Sequence, residues 1–243
     1  MDDAKAPPSR EHRAGLVDSL LLIVARVGSN LLSLAWTLLL VRMLAPQAAG
    51  VALQAISVAQ IASILMTLNM ESGAMRCIVP AREHGRMAQA AGFIRFNRRL
   101  VLFTLPVLAL LVAVAWTAGL LPAENPQMLA AMALAMVLVA LARLTARHAT
   151  ALGVMRKGLL PRLLTGPLVL TLGLSLAWAA GVPLKPWHVV VLFALSEGLT
   201  VLIQNALLRA DFAFLRDTPS DSRAWRAWMG LGLWLTPGLV MTE

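Results

Sequence analysis

LVDSLLLIVARVGSNLLSLAWTLLLV, residues 16–41, is apolar over a length that suits a bilayer better than a soluble core. A hydrocarbon slab about 30 Å thick takes about 20 helical residues to cross. The basic stretch MDDAKAPPSREHRAG at 1–15 resembles the charged region of a signal peptide. The apolar run behind it is too long for a cleaved signal and has no small-residue cleavage site, so it reads as a retained first span.

Outward from this stretch the same pattern recurs. Spans are expected at about 48–70, 100–121, 127–151, 162–181 and 188–208, punctuated by Pro46, Pro80, Pro122, Pro126, Gly158, Pro161, Pro183 and Pro186. With 59% hydrophobic and only 14% charged residues, a soluble fold could not cover its own surface with polar groups. The apolar runs do not alternate as barrel strands do. The expected fold class is therefore all-α: a polytopic transmembrane helical bundle of six spans plus an incomplete seventh.

The basic residues set the orientation. Of 21 Lys and Arg, eighteen lie before the first span, between the second and third, around the end of the fourth, or after the sixth. The opposite loops hold only Arg42 and Lys185, and Arg26 lies within the first span. Positive charge is retained on the cytoplasmic side, which predicts both termini inside. The expected parts are a cytoplasmic tail (1–15), a six-helix lobe (16–208), a cytoplasmic linker (209–228) and the start of a seventh helix (229–243). Its apolar run of thirteen residues, Met229 to Met241, is too short to span and contains Pro237 and Gly238; a re-entrant segment is the alternative. The net charge of +9 sits at span ends, which favours lipid headgroups over nucleic acid as the partner.

Polar residues inside spans carry the functional signal, because each is costly in hydrocarbon. Arg26, Ser29, Asn30, Ser33 and Thr37 form one helical stripe in the first span. Gln54, Ser57, Gln60, Ser63, Thr67 and Glu71 repeat it in the second, and Glu197, Thr200 and Gln204 in the sixth. Spans one, two, four and six are thus expected to line a shared cavity, with Arg26, Ser29, Asn30, Ser33, Thr37, Gln60, Glu197 and Gln204 as the binding set. The bland alternatives are hydroxyls bonded to their own helix, an Arg26 pair with Asp18 or Glu197, and a local Glu71–Arg76 bridge. His12, His84, His148 and His188 make no metal-ligand spacing and Cys77 is the sole cysteine. No catalytic, metal or cofactor motif is read, and the chain is not expected to be an enzyme.

The segment LLLVRMLAPQAAG (38–50) resembles the L-A-R-x-L-G-P-x-x-[FY]-G junction between the first two helices of polysaccharide and O-antigen-type flippases. These belong to the multidrug/oligosaccharidyl-lipid/polysaccharide exporter superfamily. Leu40, Arg42, Leu44, Pro46 and Gly50 match; Ala45 and Ala49 replace a glycine and an aromatic. LNMESGAMRCIVP (68–80) is similar to the family's L-D-x-G-x-x-x-A-x-x-R, with Asn69 for the acid. The resemblance implies two six-helix lobes, of which this chain supplies one and lacks the second. It also implies an undecaprenyl-pyrophosphate-linked oligosaccharide as cargo, flipped across the inner (plasma) membrane. Arg26 would then bind diphosphate and its stripe the sugar hydroxyls. The alternatives are a cation-coupled drug exporter using Glu197, or a non-transporting scaffold or inactive fragment.

Overall fold

A computed structural model describes residues 10–119, 126–219 and 225–230, and all the regular structure in them is helical. The expected loop at 122–126 and the seventh helix beyond residue 230 fall almost wholly outside the described residues, as does the tail before Arg10.

α1 (Arg10–Met43) and α2 (Pro46–Thr67) are separated only by Leu44 and Ala45. Pro46 starts α2 because a first-turn position needs no N–H. The second expected span ends earlier than its hydropathy suggests. Leu68 and Asn69 both take left-handed backbone, at φ 44° and 53°, and the Leu68 and Asn69 N–H groups close the last turn on Leu65 and Ile64. α3 (Met70–Glu83) then departs as a separate helix of 14 residues, too short to span. After Gly85, at φ 68°, α4 (Met87–Thr117) begins well ahead of the expected third span.

α5 (Pro126–Ala151), α6 (Met155–Ala179) and α7 (Pro186–Leu207) complete the bundle, followed by a four-residue turn α8 (Phe214–Asp217). Among the described residues, five helices are long and apolar enough to cross a membrane: Asp18–Met43 of α1, and α2, α5, α6 and α7. The chain is a multi-pass, membrane-embedded helical protein.

α5 is the hub. It packs against α2, α3, α4, α6 and α7, and its buried face is small: Ala131, Ala135, Ala140, Ala142, Ala146 and Ala149. Small residues let backbones approach where lipid offers no hydrophobic drive between helices. Gly158 of α6 meets this surface so closely that a Cβ there would lie 2.6 Å from Ala149 Cβ. α1 is the outermost of the five, lying along α6 and barely touching α2. Its outer stripe, Leu20, Val24, Val27, Leu31, Leu34 and Leu38, is more than half exposed and suits acyl chains.

Side-chain ties give the helix directions. Asp18 pairs with Arg156 at 3.6 Å, and Thr171 donates to the Leu32 carbonyl at 3.2 Å, so α1 and α6 run parallel. The same end of the bundle gathers Lys157–Asp211 at 2.7 Å and Arg82 donating to the Leu152 carbonyl at 2.6 Å. Arg95 reaches the carbonyls of Leu215 and Thr218 there. Phe212 is buried under Arg98, and Trp228 packs on Phe93 and Phe96. The described parts of the expected linker are therefore docked on the basic end of the bundle.

Candidate functional site

Glu71, Arg143, Arg162 and Glu197, from four different helices, are electrostatic neighbours. Glu71 is buried on α3, and Arg143 of α5 grips both its carboxylate oxygens, Nε at 3.1 Å and Nη2 closer still. This replaces the expected local bridge to Arg76, which is exposed. The physical reason is the break at Leu68–Asn69, which turns α3 so that Glu71 faces α5. A two-pronged guanidinium–carboxylate pair is the geometry that best repays taking both charges out of water.

Beside that pair stand Arg162 of α6 and Glu197 of α7. The charged neighbours of Arg162 are Arg143, Glu71, Glu197 and Arg147; those of Glu197 are Arg162 and Arg143. Glu197 lies at the midpoint of the 22-residue α7, on the side opposite its exposed Leu195, Leu199 and Leu202. Its carboxylate sits over Gly166, where an added Cβ would be 3.8 Å from Oε1. Yet among the described residues neither Glu197 nor Arg162 has an ion-pair partner within 4.0 Å or a side-chain hydrogen bond.

Gln204, two turns below Glu197 on α7, is fully buried and donates to the carbonyls of Ala142 at 3.2 Å and Gly158 at 2.8 Å. It is a clamp joining α5, α6 and α7. His148 is likewise structural, fully buried at 3.1 Å from Asn97 and edge-on to Phe93. On α3, outside the spans, burial pushes the Cys77 thiol up from its ordinary pKa.

The α1 stripe is split. Ser29 is buried on the side packed against α6, and Thr37 donates to the Ser33 carbonyl of its own helix at 2.8 Å. Arg26 and Asn30 are exposed on the flank between the packed and lipid-facing sides. Arg26 does not pair with Asp18, which is taken by Arg156, nor with Glu197, which lies beyond α6. On α2, Gln54, Ser57 and Gln60 are exposed.

The eight candidate residues thus do not converge on one cavity. They fall on α1, divided between its α6-packed side and an outer flank, on an exposed α2 face, and at the α5–α6–α7 junction, where Gln204 is buried and Glu197 half-buried. α6, the expected fifth span, is wedged between α1, α5 and α7, yet keeps Leu168, Leu172 and Leu176 exposed. Arg162, missed as a site residue, was counted among the loop charges since Pro161 looked like a helix boundary. Pro161 in fact lies inside α6, whose first turns include the apolar Leu159 and Leu160. Their continuity with the span was the available signal.

No protein-family model, curated protein or solved structure matches this chain.

Proposed function

We propose that this chain is a transporter lobe of six spans, with both termini cytoplasmic, that translocates an undecaprenyl-pyrophosphate-linked oligosaccharide across the inner membrane for surface polysaccharide export. α4, carrying the 100–121 run, is the sixth span, and the basic end of the bundle faces the cytoplasm. The observation that carries the reading is Arg26. It stands eight residues into the 26-residue apolar segment of α1, about 12 Å along the helix axis. It is exposed, beside exposed Asn30, with no described carboxylate in ion-pair reach. A guanidinium open to the outside of the bundle at that depth calls for an anion, and a diphosphate fits its paired donors. A second six-helix lobe closing over this flank would keep acyl chains away from it. The resemblance of residues 38–50 supports the same class, and a cationic flank disfavours organic-cation drugs.

The test is flipping of a fluorescent lipid-diphosphate oligosaccharide in reconstituted vesicles, or polymer export in cells. Arg26→Ala should abolish it and Arg26→Lys retain part, since ammonium keeps the charge but not the paired donors. Wild-type rates from Arg26→Ala at normal protein levels would refute the assignment.

A further inference from the structure

The outward rows of α1, α6 and α7 are bulky and aliphatic, as Val24, Leu172 and Leu199 show. α2 is different. Its outward positions Gln47, Gly50, Gln54, Ser57 and Ile61 are all exposed and follow one another at steps of three and four. Such a row is the seam along which one helix takes another at a shallow crossing angle. The opposite side of α2 is already used, with Ala52, Ala55, Ala59 and Ala62 buried in the bundle. Gln54 and Gln60, which flanks the seam, stand eight and fourteen residues into the 22-residue helix, well inside hydrocarbon. Among the described residues neither amide makes a hydrogen bond, and acyl chains offer an amide neither donor nor acceptor. Ser57 donates to the Leu53 carbonyl of its own helix at 2.9 Å, so the unmet demand is that of the glutamines. An added Cβ at Gly50 meets nothing within 4 Å, which leaves room for a close neighbour.

We propose that this face of α2 binds the same face of a second copy of the chain, the two related by a two-fold axis along the membrane normal. All copies insert with the same orientation, so a symmetric pair in a bilayer has no other axis open to it. That axis brings each seam residue to its own counterpart, and self-contact selects among side chains. A carboxamide carries both donors and an acceptor and can bond to its own copy; a guanidinium has donors alone. α2 holds no charged residue, whereas a symmetric contact through the α1 flank would set Arg26 against Arg26. In the pair Gln54 bonds to Gln54, Gly50 lets the backbones approach, and Ser57 and Ile61 continue the seam. Use of the pair as the two lobes of a carrier rests on the function proposed above; the contact itself does not.

The experiment is oxidative cross-linking of the full chain in lipid bilayers, with single cysteines placed in a Cys77→Ser background. Gly50→Cys, Gln54→Cys and Ser57→Cys should each give a disulfide-linked dimer, while Leu172→Cys on the aliphatic row of α6 should not. No dimer along the seam, or dimers as readily at Leu172→Cys, overturns the proposal. Reaction of Gln54→Cys with a water-soluble maleimide in place of dimer formation also overturns it, because the face then borders water. Energy transfer between copies carrying donor and acceptor dyes, diluted with lipid, reads the strength of the pair. Gln54→Leu should raise the protein-to-lipid ratio at half-association by about three-fold to tenfold, the worth of an interhelical amide bond. Gly50→Leu should abolish the transfer yet leave the monomer's thermal unfolding unchanged, since its Cβ enters open space. Wild-type association by both variants overturns the proposal. If the copies pair as expected but the wild type moves no lipid-linked oligosaccharide, the contact stands and the cargo assignment falls.

Discussion

At the scale of single residues, the bundle distinguishes charges it has locked from charges it has left free. Glu71 and Arg143 are locked: their side chains are 4% and 19% exposed and doubly bonded. Removing one partner of a buried pair strands the other, at a cost of about 3–5 kcal/mol, whereas removing both is far milder. Glu71→Gln or Arg143→Gln alone should therefore lower the unfolding free energy by that order. The double variant should lose much less than the sum, and equal additive losses in a double-mutant cycle would show that the pair is not coupled. Gln204 belongs to the same structural class. Its depth in the sixth span makes it look like a cavity residue, but its Nε2 donates to two backbone carbonyls, while its Oε1 is buried without a described partner. Arg26 is the opposite case, a strong donor that the described residues leave to something outside the bundle.

Among the elements, α6 changes most between sequence and structure. Its hydropathy begins late because Arg156, Lys157 and Arg162 interrupt it, and Pro161 and Pro167 look like breaks. In the structure both prolines are tolerated within one helix. Thr171, one turn beyond the second, donates to the Pro167 carbonyl at 2.7 Å and reaches across to the Leu32 carbonyl, tying α6 to α1. The close α5–α6 approach depends on Gly158, where a Cβ would also lie 3.1 Å from Ala146 Cα, a backbone atom that cannot yield cheaply. Gly158→Val should destabilise by about 1–3 kcal/mol through overpacking and weaken the Gln204 clamp. Thermal unfolding in detergent is the measurement, and an unchanged midpoint would mean the two helices are not held at this point. α2 and α3 give a different lesson. Apolar continuity through Met70 suggested one long span, but two left-handed residues end it, at about 1–2 kcal/mol each for non-glycine residues. That backbone reversal is what delivers Glu71 to α5.

On the scale of the whole molecule, the polar ties between helix ends cluster at one pole: Asp18–Arg156, Lys157–Asp211, Arg82 to Leu152, and Arg95 to Leu215 and Thr218. This is the pole that the charge census places in the cytoplasm. In a Cys77→Ser background, Lys185→Cys should react with an impermeant maleimide from outside intact cells. Arg209→Cys should react only after permeabilisation, and the reverse pattern would invert the orientation. Much of this architecture is legible in the chain itself. Helix type, the span-length apolar runs and the bunching of arginines are local properties, decided by bilayer thickness and by the cost of bare backbone in lipid. Which polar residues meet is not local. A stripe on one helix shows that its residues share a side; it does not show whether that side meets lipid, a neighbour or a gap. Ser29 and Arg26 are three residues apart on one stripe, yet one is packed against α6 and the other is open. Only the packing of α6 between α1 and α7 separated Arg26 from Glu197. Likewise only the turn at Leu68–Asn69 matched Glu71 with a residue 72 positions away, because partner choice follows from interhelix geometry that no periodicity along a single segment encodes.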